Sequence, residues 1–211
     1  GTGDFTTITA GISAAQNDDT LLVYPGRYYE NLNYNGKNIT VTSLYGIESD
    51  DRNIISNTII DGNENGAAVV FMNYETRDAV LNGFTITNGS GYVIGAGPSI
   101  ITYGGGIYLS QSSPVISNCI IEHNYAYAGG GGNQWEANAL FSGNIVRYNR
   151  AIRGVGGIFC SYAEFCSEHP NSIYYNYAGD YVNDLFIREI EQQSVIIDTF
   201  TVLYPELTEE D

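Results

Sequence analysis

Few residues of this chain are of types that do chemistry, and fewer still stand at a useful spacing. The 211 residues hold two histidines, His123 and His169, three cysteines, Cys119, Cys160 and Cys166, and 8 Lys+Arg against 24 Asp+Glu. One cluster is brought together by repeat spacing: Glu122 and Arg147 each lie two residues before a repeated Asn, and His123 shares the following position with Tyr148. On stacked strands such positions are ~4.8 Å apart. A lyase would use Arg147 or His123 as its base and Glu122 as a cation ligand. A scaffold would use Glu122 and Arg147 as a surface ion pair worth ~0–1 kcal/mol. A lone Glu is too few ligands for Ca²⁺, which takes roughly 6–8 oxygens. An inverting hydrolase needs two carboxylates ~6.5–9.5 Å apart, yet Asp18-Asp19 and Asp50-Asp51 sit in turn-like contexts and Asp61 precedes Gly62 in a turn-forming pair.

Other chemistries fare worse. There is no G-x-S-x-G elbow, and the glycine run at 129–132 has no Lys-Ser/Thr after it to hold phosphate. His169, before Pro170, reads as a loop residue facing solvent. The cysteines lack zinc spacing and read as small apolar core residues, with a Cys160–Cys166 bridge left open because bridging depends on Cα separation. Binding has more to offer, since Tyr occurs 18 times. Many of these fit a pleated face by propensity alone; the alternative is carbohydrate binding, in which aromatic faces stack on sugar rings. The candidates are Trp135, Glu136, Tyr108, Tyr148 and Tyr175. Trp135 is the single Trp, and registry with Leu109 and Cys160 places it where sister repeats carry smaller residues. Asn38 and Asn88 begin Asn-x-Thr and Asn-x-Ser acceptor sequons, which count only in a host that glycosylates Asn.

The elements that position these residues follow from a repeat. GGGIYLSQSSPVISNCIIEHNYAYA begins at 104, GGGGNQWEANALFSGNIVRYNRAIR at 129 and GVGGIFCSYAEFCSEHPNSIYYNYAG at 154. Asn124, Asn149 and Asn176 recur in them, each with Ala two residues on, and NGFTITNG gives Asn88 the same role. A period near 25 with short Ile/Val/Tyr runs, and no run of helical periodicity, predicts stacked parallel strands, with the Asn side chains forming a ladder at one turn. TLLVYPG, NITVTSL, NTIIDGN, AAVVFMN and AVLNGFTITNG extend the pattern upstream in degenerate form. Phe5, Ile8, Ile12 and Ala15 fall on one helical face, predicting an N-terminal capping helix over 5–16 with Asp4 or Thr6 as N-cap.

These motifs resemble the right-handed parallel β-helix, pectin-lyase-like superfamily, most closely secreted repeat proteins with the opening DFTTITAGISAAQNDDTLLVYPGRYYENL. The resemblance implies an all-β, right-handed parallel β-helix, one domain over 1–211. Its parts would be coils over 20–180, closing strands over 184–204 and an acidic tail over 205–211, making roughly seven or eight coils and about 35–40 Å of length. It implies no activity, because the fold hosts lyases, hydrolases, adhesins and inert stalks alike.

Composition narrows the partners. A net charge of −16 speaks against nucleic acid, whose phosphates demand clustered Lys and Arg, and no run approaches the ~20 apolar residues that span a bilayer. With no initiator Met or leader, the chain reads as a mature or excised segment of a secreted or surface protein. The first functional reading is a non-catalytic secreted or cell-surface module with a structural or adhesive role. It would associate with copies of itself or kindred modules through the apolar strand VIIDTFTVLY at a C-terminal end without a polar cap, and contact glycans. The alternative is a polysaccharide lyase or glycoside hydrolase. No cofactor is called for; a calcium-stabilised module would suit the charge but has no D-x-D-x-D-G loop.

Overall fold

Ile, Val, Leu and Tyr favour a pleated surface, and Gly, Asn and Asp interrupt them before any run grows long. The result is a chain of short strands. The structure is a computed structural model that describes residues 3–188. Helix α1 (Ile8–Ala14) precedes a first circuit of β1 (Thr20–Val23), β2 (Gly26–Tyr29) and β3 (Leu32–Asn33). The second holds β4 (Thr40–Ser43), α2 (Asn53–Asn57), β5 (Thr58–Asp61) and β6 (Val69–Phe71). The third holds β7 (Val80–Asn82), β8 (Thr85–Thr87), an inserted hairpin of β9 (Tyr92–Ile94) and β10 (Ile101–Tyr103), and β11 (Ile107–Ser110). The fourth is β12 (Val115–Ser117), β13 (Ile120–Glu122), β14 (Tyr125–Ala126) and the first part of β15 (Gly132–Ser142). The rest of β15 opens the fifth, followed by β16 (Ile145–Arg147), β17 (Arg150–Ala151) and β18 (Ile158–Phe165). The sixth begins within β18 and holds β19 (Ser172–Tyr174), β20 (Tyr177–Ala178) and β21 (Leu185–Ile187).

Each circuit lays strands on those of the circuit before. One sheet has the order β2-β5-β8-β13-β16-β19, and a ten-stranded sheet curls through β1-β4-β7-β12-β15 and β3-β6-β11-β15 and on to β18 and β21. Every pairing between circuits is parallel; β9 with β10 is the antiparallel exception among the described strands. The fold is therefore mostly β, built of parallel strands in curled sheets, a layout compatible with a β-solenoid. Successive partners Thr20, Thr40, Val80, Val115, Leu140 and Glu164 mark circuits of 20, 40, 35, 25 and 24 residues. The described residues thus make six circuits, two of them lengthened by the α2 loop and the β9–β10 hairpin. At ~4.8 Å per step the stack is about 24 Å high.

Inward residues fill the space between sheets. Ile60, Ile86, Ile121, Val146 and Ile173 occupy one inner row of the six-stranded sheet, all fully buried. Cys119 and Cys160 belong to the same core. All three cysteines are free thiols, so the Cys160–Cys166 bridge left open by the sequence is not formed. Burial pushes the Cys119 thiol up to about 12 and raises Cys160 as well, because a thiolate cannot be solvated there.

The capping helix is shorter than 5–16, and its N-cap is Thr7, whose side chain accepts the Ala10 N–H at 3.2 Å. Ile8, Gly11 and Ile12 face the core, whereas Phe5 is 45% exposed. Opposite charges hold the two ends of the helix. The Glu30 carboxylate accepts the N–H groups of Ile8 and Thr9 at 2.9 and 2.8 Å. The Lys37 ammonium donates to the carbonyls of Ile12, Ser13 and Ala15, each at 2.7 Å. Both charges complement the helix dipole. Of the closing strands expected over 184–204, β21 is described; VIIDTFTVLY and the tail over 205–211 lie outside the described residues.

Candidate functional site

The six-stranded sheet is bracketed by two columns of buried amides. After its strands, Asn124 donates from Nδ2 to Asn149 Oδ1 at 3.0 Å, and Asn149 does the same to Asn176 at 3.0 Å. The Nδ2 groups also reach the carbonyls of Ile86, Ile121 and Val146 one circuit back. Before the strands, Asn144 donates to Asn171 at 2.9 Å and accepts the N–H of Cys119, which holds the equivalent place one circuit earlier. Each ladder Asn is no more than 2% exposed, so these bonds replace water that cannot enter.

Asn88 is not a rung. Its N–H bonds to the carbonyl of His123, so it shares the register of His123, while the Gly89 N–H caps Asn124 Oδ1 at 2.9 Å. The paired glycines of the repeat follow from the ladder. A Cβ on Gly106, Gly131 or Gly157 would come within 2.9–3.1 Å of the Nδ2 of Asn124, Asn149 or Asn176. In the sixth circuit that position is Asp184, whose Oδ1 accepts both the N–H and the Nδ2 of Asn176, at 3.1 and 2.9 Å. Asn183 accepts the N–H of Ala178. The end of the column therefore carries a polar plug.

Between these columns the outer face of the sheet forms a groove of about 440 Å³ lined by Arg27, Ser56, Ile59, Thr85, Thr87, Asn88, Ile120, Glu122, His123 and Arg147. Helix α2 supplies Ser56 as one wall, tied down by the Thr85 hydroxyl donating to the Ile55 carbonyl at 2.9 Å. Glu122 and Arg147 are register partners, and Arg147 Nε donates to Glu122 Oε2 at 2.8 Å. At the other end Arg27 pairs with Asp61, which is 2% exposed and also accepts from Asn88 Nδ2 and the Asn63 N–H. Arg27 escaped sequence reasoning and Asp61 was read as a turn residue, because both belong to circuits without the 25-residue period. Asp61 and Glu122 lie on strands two steps apart, β5 and β13, or roughly 9.6 Å. That approaches the spacing of an inverting pair, but each carboxylate is engaged by an arginine. The remaining lining offers hydroxyl, amide and imidazole groups suited to a polar, hydroxylated ligand.

Of the sugar-binding candidates, Tyr148 and Tyr175 are 46% and 57% exposed, on left-handed turns with φ of 55° each. Their rings stack on one another at 5.8 Å, and His123 stacks on Tyr148 at 5.5 Å. The faces are thus turned along the column, and the edges point outward. Tyr108 is only 6% exposed and stacks on Tyr92 at 4.5 Å, so it is a packing residue and not an open platform. Trp135 is 45% exposed with the Arg188 guanidinium 5.7 Å from its ring. Its register partner is Ser110; Leu109 and Cys160 align with Gln134, and β15 bulges just beyond, between Gln134 and Asn138. Glu136 lies in that bulge with φ of 46°. Gln134 is buried with no partner for its Oε1, a polar group in a core row that sequence reasoning missed.

The Asn38 sequon is half-buried with Oδ1 accepting the Thr76 N–H at 2.8 Å, and Asn88 is committed to Asp61. Among the described residues no group of three or more His, Cys, Asp or Glu could hold a metal ion. No family model and no curated protein matches this chain.

Proposed function

We propose that the chain is a right-handed parallel β-helix of the pectin-lyase-like kind, serving as a non-catalytic secreted or cell-surface module that contacts glycans and associates with its own kind. Parallel strands joined through a crossover take the right-handed form in ~98% of cases, and three strand positions per circuit suit a β-helix. The observation that carries the non-catalytic role is that the one acid lining the groove, Glu122, is tied to Arg147, and that Asp61, buried beside the groove, is tied to Arg27. A general acid or base must exchange protons with substrate, and an ion-paired carboxylate is poorly placed to do so. The groove's hydroxyls and amides fit it for contact with glycan hydroxyls.

The enzyme reading draws on one observation: Glu122, two arginines and His123 face a single groove, with the Asp61 carboxylate buried behind Arg27. The experiment is to incubate the protein with pectic, alginate and glucan polymers, with and without Ca²⁺, and to follow unsaturated uronate absorbance and reducing ends. Binding to the same polymers is measured alongside. Binding without turnover is the expected result. Turnover abolished by Glu122→Gln would replace the scaffold with a lyase or hydrolase.

A further inference from the structure

Two surfaces of the chain complement one another. The first is the tip of the β9–β10 hairpin, where Val93, Ile94 and Ile100 are 53%, 43% and 53% exposed. No charged residue occurs between Asp78 and Glu122, so in a chain of charge −16 the tip is a neutral apolar knob. It stands on a firm base. Tyr92 stacks on Tyr108 in a small cluster with Ala67, Val70 and Tyr103, and the Tyr127 and Ala128 N–H groups donate to the Thr102 carbonyl at 3.0 and 3.1 Å.

The second surface is a shallow trough of about 480 Å³ lined by Tyr148, Asn149, Arg150, Tyr175 and Tyr177. Left-handed turns put Tyr148 and Tyr175 on one side. The register partners Arg150 and Tyr177 form the other, with the guanidinium 5.7 Å from the ring. Its lining is mostly aromatic, and its one charge is positive.

We infer that the knob of one copy seats in the trough of a second, an inference that rests on the self-association proposed above and names its surface. The charge pattern selects this partner. Copies of a chain at −16 repel wherever acid meets acid, and this contact opposes an uncharged tip to an aromatic surface whose one charge is basic. Knob and trough are different patches, so the contact is heterologous and builds a ring or an open row according to whether its rotation closes. Screening the remaining repulsion with salt strengthens it.

The test is sedimentation velocity of the full chain at low and high salt, with melting curves to check folding. The parent should grow with concentration. Val93→Asp/Ile94→Asp, which removes the knob, and Arg150→Glu, which turns the trough acidic, should each remain monomeric, with association weakened at least about tenfold. Mixed together they should give a 1:1 dimer and nothing larger, since each retains one intact surface. Ile100→Asp and Tyr177→Ser serve if either variant fails to fold. Association of both variants at the parent's strength, or a mixture that stays monomeric, would overturn this contact while leaving self-association to another surface. A parent that stays monomeric throughout would overturn both.

Discussion

The last three circuits and the first three solve one problem in two ways. From β12 onward, circuits of 25 and 24 residues bury their turn amides in Asn columns, each rung satisfied by the next. The earlier circuits, of 20, 40 and 35 residues, have no such column and rely on single groups placed once. Glu75 is the clearest of these. It is 1% exposed, and its carboxylate accepts the Gly36 N–H, the Asn73 N–H and the Ser112 hydroxyl, binding three circuits together. A repeat can share one solution among its copies, whereas an irregular circuit needs a separate one at every corner, and insertions such as α2 and the β9–β10 hairpin accumulate where no column forbids them.

The comparison breaks most readily at the column. Asn149→Ala removes the acceptor of Asn124 and the donors to Ile121 and Asn176, and should cost about 3 kcal/mol in urea unfolding. Asn88→Ala, outside the column, should cost less than about half of that; equal losses would erase the distinction between rung and neighbour. Next comes Glu75→Ala, expected to cost about 2 kcal/mol. Hydrogen exchange should place its effect in the first three circuits, and loss of protection mainly in the last three would show that the halves are not separate solutions. Lys37→Met releases the C-terminal end of α1 and should cost about 1 kcal/mol, with faster exchange at Ala14 and Ala15. Glu122→Gln should change stability by ~0–1 kcal/mol, since the pair with Arg147 stands partly in solvent.

The thiols sharpen the comparison without disturbing the fold. At neutral pH a maleimide should label Cys166 alone in the native protein and all three cysteines in urea, because Cys119 and Cys160 are buried in the core. The backbone N–H of His169, followed by the Ser142 hydroxyl, lowers the Cys166 thiol from its usual value of 9.0 and favours its reaction. Cys119, raised from 9.0 to about 12, keeps its proton in the folded chain and loses it in the unfolded one between those values. Its contribution to stability is therefore complete below pH 9 and lost as pH rises toward about 12. Alkaline unfolding unchanged by Cys119→Ala would refute that contribution.

Legibility followed the same division. Asn124, Asn149 and Asn176 could be read from spacing because each copy repeats the same physical need. The second column was legible too but missed: Cys119, Asn144 and Asn171 each stand five residues before a rung, the signal that would have found them. Trp135 was misplaced by one register: the 25-residue step from Leu109 leads to Gln134, whereas the step from Gln134 to Cys160 is one residue longer, so 25 counted back from Cys160 falls on Trp135. Glu30, Lys37, Asp61 and Glu75 have no counterpart to compare with, so nothing in their immediate sequence marks them as clamps. The groove was half legible for that reason, with Glu122, His123 and Arg147 coming from the periodic side and Arg27 and Asp61 from the other.

The Asn column also has a direction. Each Oδ1 accepts from the preceding rung and each Nδ2, besides reaching a carbonyl one circuit back, donates to the following rung, so the amide dipoles align head to tail as peptide groups do in a helix. The positive end emerges at Asn176, where the Asp184 carboxylate receives it. Asp184 thus stands to the column as an acidic N-cap stands to a helix. The stack of amides is a polar wire with an anion at its terminus, and a fourth rung would need a glycine where that aspartate stands.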